Sequence, residues 1–404
     1  MKAGWKTVKL CDVAEMRPPK SEAKLKGLKP TDEVGFLPME DLTQFQKHAK
    51  ALKTRTMSEV SNSYNYFANG DVLMAKISPC FQNGKMGIAS GLPNGVGYGS
   101  SEYFVFRPSK ELSAEWLFYY LQDPAFRRHA TGKFSGNVGQ QRLPKELIEE
   151  LEIPLPPLAE QKRIVALLDE AFAGIDEAKA KAEDSLNRIQ ALFESHLQAI
   201  FTQRGRGWVE RRLGELSRIN YGYTESASAE MIGPHFLRIT DIQDEGVDWS
   251  TVPYCRIDKD DLPKYKLSDG DIVFARTGAT TGKSYLVSNP PDSVFASYLI
   301  RVQLSEKALL PGFLYLFFQT RSYWDVIRAG VSGSTQGGFN ASKLGELTVP
   351  YPASLSDQNV FIRGASEIQA DTLIAGKLAK KKLQALTELK ASILAQAFAG
   401  EITA

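Results

Sequence analysis

The sequence predicts a mixed α/β (α+β) protein, in which two globular domains are joined by two long antiparallel helices forming a coiled coil, with an internal repeat of pseudo-two-fold symmetry. Three observations carry this. The 404-residue chain restates its landmarks about 200 residues later. A proline-free stretch with apolar residues every three or four positions follows each copy, as an amphipathic helix requires. The remainder mixes short apolar runs with Gly, Asn and Pro turns, as an irregular α/β globule does. A repeat this long is not a solenoid period of a few tens of residues. It implies two whole copies of a globule-plus-helix unit.

The first globule spans residues 1–156. Its opening Trp5-Lys6-Thr7-Val8-Lys9-Leu10-Cys11-Asp12 returns as Trp208-Val209-Glu210-Arg211-Arg212-Leu213-Gly214-Glu215. Val72-Leu73-Met74 and Tyr103-Phe104-Val105-Phe106 read as strands, and Pro93-Asn94-Gly95 as a turn. The string Gly70-Asp71-Val72 returns as Gly270-Asp271-Ile272. Ala114–Gln122 reads as a buried helix whose aromatic stretch returns at Phe313–Gln319. Ile153-Pro154-Leu155-Pro156 returns as Val349-Pro350-Tyr351-Pro352.

Residues 157–206 form the first spacer helix. From Leu158 to Gln203 there is no proline and one glycine, Gly174. At 1.5 Å per residue the helix reaches about 65 Å. The second globule covers 207–352 and the second spacer helix 353–404. A long helix with one apolar stripe needs a partner, and the other copy is the nearest available. Ala178, Ala182, Ala375 and Ala379 would let the backbones approach closely. The alternative is that each helix packs only on its own globule.

Composition excludes little. Net charge is +2, so bulk electrostatics do not demand nucleic acid, although a basic face can be balanced elsewhere. Cys11, Cys80 and Cys255 have neither metal-site nor disulfide-framework spacing. The N-terminus lacks a signal-peptide pattern, and no apolar run is long enough to cross a bilayer. The expectation is a cytoplasmic protein with no membrane association.

Two strings and the histidines invite an enzymatic reading. Gly278-Ala279-Thr280-Thr281-Gly282-Lys283-Ser284 resembles a phosphate-binding loop. It starts one residue short, with Thr277 where the first glycine belongs, and Tyr285-Leu286-Val287 behind it reads as a strand. Asn289-Pro290-Pro291 resembles the adenine-methyltransferase motif, but Asp292 replaces its aromatic residue and no glycine-rich cofactor loop precedes it. The histidines, His48, His129, His196 and His235, are dispersed. No catalytic or metal-binding residue is expected.

What recurs instead is a pair of polar loops in each half. Lys76, Ser78, Gln82, Asn83 and Lys85 match Arg276, Thr277, Thr280, Thr281 and Lys283. Ser135, Asn137, Gln140, Gln141 and Arg142 match the stretch carrying Ser334, Thr335 and Gln336. Cations and amides can read guanine and adenine edges, and hydroxyls can grip phosphate. Ordinary solvated turns have the same composition; recurrence in both copies favours function.

The whole chain resembles the specificity (S) subunit of type I restriction-modification systems. The resemblance rests on the Trp-x4-Leu-(Gly/Cys)-(Asp/Glu) openings, the Gly-Asp-(Val/Ile) strings and the Ser135-Gly136 and Ser332-Gly333 stretches. It also rests on Ile153-Pro-Leu-Pro-Pro-Leu-Ala-Glu-Gln-Lys-Arg-Ile164 and the closing Ala397-Phe398-Ala399-Gly400-Glu401-Ile402. The second half departs before its helix, where Pro352–Asn359 keeps only the acidic-Gln pair.

The resemblance implies a non-catalytic subunit. Its globules are target recognition domains that read a bipartite, asymmetric site in double-stranded DNA, and its helices space them. It implies docking of two methyltransferase (M) subunits that act on adenine N6, and through them restriction (R) motor-nuclease subunits. S-adenosylmethionine, ATP and Mg belong to those partners, with no cofactor on this chain. The expected subunit interface is the helix stripe of Ile164, Leu168, Ile175, Ile189, Ile368, Leu386, Leu389 and Ile393. The rival readings are an enzyme in its own right and a coiled-coil adaptor of another DNA-modification or phage-defence complex.

Overall fold

A computed structural model describes residues 4–45, 47–136, 141–243, 246–305, 307–332 and 338–402. The expected Asn137, Gln140, Ser334, Thr335 and Gln336 lie outside them. The chain divides into two compact units, Met1–Ala182 with Lys381–Ala404, and Glu183–Lys380. Each unit therefore holds one globule, the start of one long helix and the end of the other.

In the first globule a five-stranded sheet runs in the order Ala14–Met16, Tyr103–Pro108, Val72–Ala75, Met86–Ser90, His48–Lys50. In the second, a four-stranded sheet runs Ser217–Tyr221, Leu299–Leu304, Ile272–Ala275, Ser284–Leu286. The first four strands correspond one to one, so the sequence repeat is a repeat of topology. A four-stranded sheet that includes Glu33–Leu37 and Val96–Gly99 adds a second layer to the first globule. The central strands are buried throughout, as at Val72, Leu73, Met74, Ile272, Val273 and Phe274, which explains their unbroken apolar runs.

The opening and closing landmarks of each half pair with each other. Lys6–Lys9 lies antiparallel to Glu152–Leu155, with Lys6 opposite Leu155. Trp208–Arg212 lies antiparallel to Thr348–Pro352, with Trp208 opposite Pro352. Each pairing closes its globule just before a long helix begins.

The Gly-Asp string is a turn device. Gly70 (φ 90) and Gly270 (φ 84) adopt the left-handed backbone that glycine tolerates. The next residue turns its carboxylate back to cap the turn: Asp71 accepts the N–H of Ala68 at 2.7 Å, and Asp271 that of Ser268 at 2.9 Å.

The long helices run Leu158–Thr202 and Leu355–Ala399. Gly400 (φ 77) ends the second with the left-handed residue common at helix C-termini. In the first unit the helix segments are antiparallel. Arg163 donates to the carbonyl of Ile402 at 3.3 Å, and Lys390 reaches Asp176 at 3.2 Å. In the second unit Gly376 faces Leu186, where an added Cβ would lie 3.7 Å from its methyl.

Aromatic packing joins helix ends to globules. Trp116 lies 5.6 Å from Trp5 and 4.8 Å from Phe398, the latter from the end of the second helix. In the other unit Phe313 lies 5.9 Å from Trp208 and 5.2 Å from Phe201, at the end of the first helix. A helix packing only on its own globule is therefore not what forms.

One group of expected contacts needs correcting. Ile164, Leu168 and Ile175 are buried in the first unit's core, so another subunit cannot reach them. Leu386 and Ile393 pack partly against the same core. Ile189 and Ile368 are half-buried, and Leu389 is exposed. The exposed apolar groups the stripe reading missed include Leu192, Leu373, Ile374 and Leu378.

Candidate nucleic-acid interface

The two polar loops predicted in each half meet. In the first globule the loop after Val72–Ala75 touches the segment around Arg142. Ile77 bridges Arg142, Ser78 donates its N–H to the carbonyl of Gln141 at 2.8 Å, and Leu143 donates to Lys76 at 2.8 Å. Ser135 and Arg142 exchange backbone hydrogen bonds of 3.1 and 2.9 Å. In the second globule Thr277 bridges Gly338, and Phe339 donates to the carbonyl of Arg276 at 2.9 Å. Segments some 60 residues apart in sequence thus form one site in each half, on the same backbone scheme.

In the first half this meeting point borders a cavity of about 430 Å³. Arg17, Lys76, Arg142 and Lys145 line it together with Glu102. Burial holds the Lys76 ammonium below its ordinary range; Glu102 opposes this, and the charges of Arg17 and Arg142 add to it. Arg142 grips Glu102 through Nε and Nη2, both at 3.0 Å. A cationic rim with a fixed carboxylate suits a polar ligand, with both donors and acceptors, better than an apolar one.

In the second half the guanidinium of Arg276 stacks 5.0 Å over Tyr221 and donates from Nε to the carbonyl of Ser297 at 3.0 Å. Both interactions limit its rotamers and leave it half-buried at the surface.

The other expected contacts divide. Gln82, Asn83, Ser135 and Thr280 are exposed; Ser78, Gln141, Thr277 and Lys283 are half-buried. Two are corrected. Thr281 is buried, and its hydroxyl is spent on the carbonyl of Gly278 at 2.7 Å. Lys85 turns its ammonium onto the carbonyl of Met39 at 2.6 Å, fastening the loop rather than presenting charge.

Sequence reasoning missed Arg17, Glu102, Lys145, Tyr221 and Tyr298. Arg17, Glu102, Tyr221 and Tyr298 come from other strands or the turns beside them, which only sheet register brings in, and Lys145 opens the helix just after Arg142. The phosphate-loop resemblance fails structurally. Gly278–Thr280 is one 3₁₀ turn, followed by strand Ser284–Leu286 rather than a helix. Among the described residues no cluster of His, Cys, Asp and Glu could hold a metal ion, and no helix is long and apolar enough to cross a membrane.

Two repeated globules, each closed on a long helix and each presenting a polar loop crossing, define a class whose sequence pattern is a named domain. The Type I restriction modification DNA specificity domain matches residues 2–188 and again 205–382, so the chain belongs to that family. It is 32% identical over 195 residues to the EcoAI specificity subunit of Escherichia coli, covering 48% of this chain and 32% of that one. It is 26% identical over 318 residues to the EcoKI specificity subunit of Escherichia coli K12, covering 74% and 68%. The match thus spans about a third of the EcoAI subunit's length. The fold matches a chain from work on complex assembly and conformational transition of the type I R-M system, with TM-score 0.80, 19% identity and coverage of 100% and 99%. The HsdS subunit from Thermoanaerobacter tengcongensis matches with TM-score 0.57, 19% identity and coverage of 100% and 98%.

Proposed function

We propose that the chain is the DNA-reading subunit of a type I restriction-modification complex. Each globule addresses one half of a split, asymmetric sequence in double-stranded DNA. The observation that carries this is the loop crossing at Lys76 and Arg142 and its counterpart at Arg276 and Gly338. One backbone scheme with different side chains suits two readers of different half-sites. Phosphate contacts by surface cations would position the globules, and groups at the crossings would read base edges.

The chain carries no chemistry of its own in this reading. Two methyltransferase subunits bring S-adenosylmethionine and act on an adenine turned out of the duplex. Motor-nuclease subunits bring ATP and Mg and join through them. The exposed Leu373, Ile374 and Leu378 on the second long helix supply apolar surface for such a partner. The work of the complex lies in the cytoplasm, where the host chromosome is.

Co-expression with the cognate methyltransferase subunit, followed by mapping of methylated adenines, tests the proposal. A bipartite, non-palindromic motif is expected. Methylation without sequence preference, or methyl transfer by the purified chain alone, would sink it.

A further inference from the structure

The two crossings also differ at a position the polar-loop pattern did not contain. Glu102 is in the turn immediately before strand Tyr103–Pro108, and Tyr298 in the turn immediately before strand Leu299–Leu304. The N–H of Lys76 donates to the carbonyl of Glu102 at 2.9 Å, and the N–H of Arg276 to that of Tyr298 at 3.2 Å. The carbonyls of Lys76 and Arg276 in turn accept Leu143 and Phe339. Three backbone segments therefore cross in the same way twice. Half one places Lys76, Glu102 and Arg142 at the crossing; half two places Arg276, Tyr298 and Gly338.

The chemistry at each position is specific. Glu102 retains 23% of its side-chain exposure while both its oxygens are held by Arg142. Each oxygen has a further lone pair, so a fixed anionic acceptor remains among cations. A phosphate would be repelled by it, whereas the amino group of a base would not. Carboxylates accept from cytosine N4 in the major groove. Tyr298 is 59% exposed and carries no charge. Its backbone is fixed by Arg276, and Arg276 is itself held by the neighbouring Ser297 carbonyl. An aromatic ring there offers apolar contact of the kind that recognises a thymine methyl.

We propose that Glu102 and Tyr298 are equivalent specificity-determining positions, Glu102 accepting a hydrogen bond from a cytosine amino group in one half-site and Tyr298 packing on a thymine methyl in the other. This rests on the reading that each globule addresses one half-site.

The test uses the full chain assembled with its methyltransferase subunit and a panel of duplexes varied one base at a time. The parent complex is measured first; if it has no bipartite preference, the functional reading fails and not this assignment. Glu102→Ala should lower discrimination about tenfold or more at one position of one half-site, leaving the other half-site intact. Tyr298→Ala should do the same at one position of the other half-site only. Arg142→Ala, which frees the carboxylate to move, should weaken the same position as Glu102→Ala. Tyr298 is an exposed turn residue, so its variant folds and stays informative if Glu102→Ala does not. Unchanged base preferences, an even loss of affinity over all duplexes, or loss in both half-sites from one substitution overturns the assignment.

Discussion

Gln358 occupies in the second half of the chain the place that Gln161 occupies in the first. Both are fully buried in the first turn of a long helix. Gln161 accepts the N–H of Ser113 at 2.8 Å and donates to the carbonyls of Glu111 and Pro156 at 2.8 and 2.9 Å. Gln358 accepts the N–H of Leu310 at 2.8 Å and donates to Ala308 and Pro352 at 2.8 and 2.7 Å. Only a side-chain amide offers one acceptor and two donors in this geometry. Of the acidic-Gln pair that both halves keep, the glutamine is the residue that fastens helix to globule.

Gln161→Ala should destabilise the first unit by about 1–3 kcal/mol, since it leaves the part-buried N–H of Ser113 and the buried carbonyl of Pro156 without their amide partner. Gln358→Ala should do the same to the second unit. Amide hydrogen exchange resolves the two. Faster exchange at Ser113 in the first variant and at Leu310 in the second is expected, each without the other.

The repeat and the helices were legible in the sequence because each is a periodic constraint, and the repeated Gly-Asp string was legible as a landmark, though not as the turn it forms. Gly70 and Gly270 mark a backbone that only glycine adopts easily, and the carboxylate after each must cap the turn. Half of the loop crossing was legible as well: the sequence marked the loops around Lys76 and Arg142 as polar and recurrent, and the structure brings them together. Glu102 and Tyr298 were not, because their place beside these loops comes from strand register across non-adjacent segments. Thr281 and Lys85 misled because composition does not say which way a side chain faces. The same holds for the helix stripe, where Ile164 and Leu168 serve the globule's core.

Arg107→Ala should cost roughly 3–5 kcal/mol, the usual loss on breaking a buried ion pair. Asp71 is 2% exposed, and Arg107 meets it with two bonds of 2.8 and 2.7 Å, while also reaching Glu22. Removing the guanidinium strands a buried carboxylate. Chemical denaturation followed by tryptophan fluorescence measures the loss; a change under about 1 kcal/mol would mean that water reaches Asp71.

Cys255 gives a pH dependence. It is fully buried, and burial, aided by the charge of Glu225, pushes its thiol up to about 11. An unfolded cysteine ionises near 8.5, about there. The folded value is raised, so the contribution to stability is complete below about pH 8.5 and is lost as pH rises towards about 11. The second unit should weaken over that window, and Cys255→Ala should remove this part of the slope. At pH 8 a thiol reagent should modify exposed Cys11 while Cys255 stays protected until the unit opens.

On the proposed DNA-reading function, Arg276→Ala separates two kinds of contact. A base contact should cost about 1–3 kcal/mol and relax one position, whereas a phosphate contact should lower affinity evenly and flatten the salt slope. Its stacking on Tyr221 and its bond to Ser297 hold the guanidinium ready for a base edge. The first outcome is therefore expected. Equal affinity and equal salt dependence in the variant would remove this loop from the interface.

On the proposed reading of a split DNA site, the spacing of its halves tests the helices. Each runs unbroken for 45 residues, and the first contributes its start to one unit and its end to the other. A four-residue insertion near Glu183 adds about one turn, or roughly 6 Å. DNA rises about 3.4 Å per base pair, so the complex should prefer a gap one or two base pairs longer. Four residues exceed one 3.6-residue turn by about 40°, and the apolar stripe must keep facing its partner. A matching insertion near Lys380 restores the pairing of the two segments. Mapping methylated adenines for the double insertion reads the gap directly, and the bases of each half-site should stay as they were. An active complex whose gap has not moved would show that the helices do not set the spacing, and the recognition of a split site would then need another source of distance.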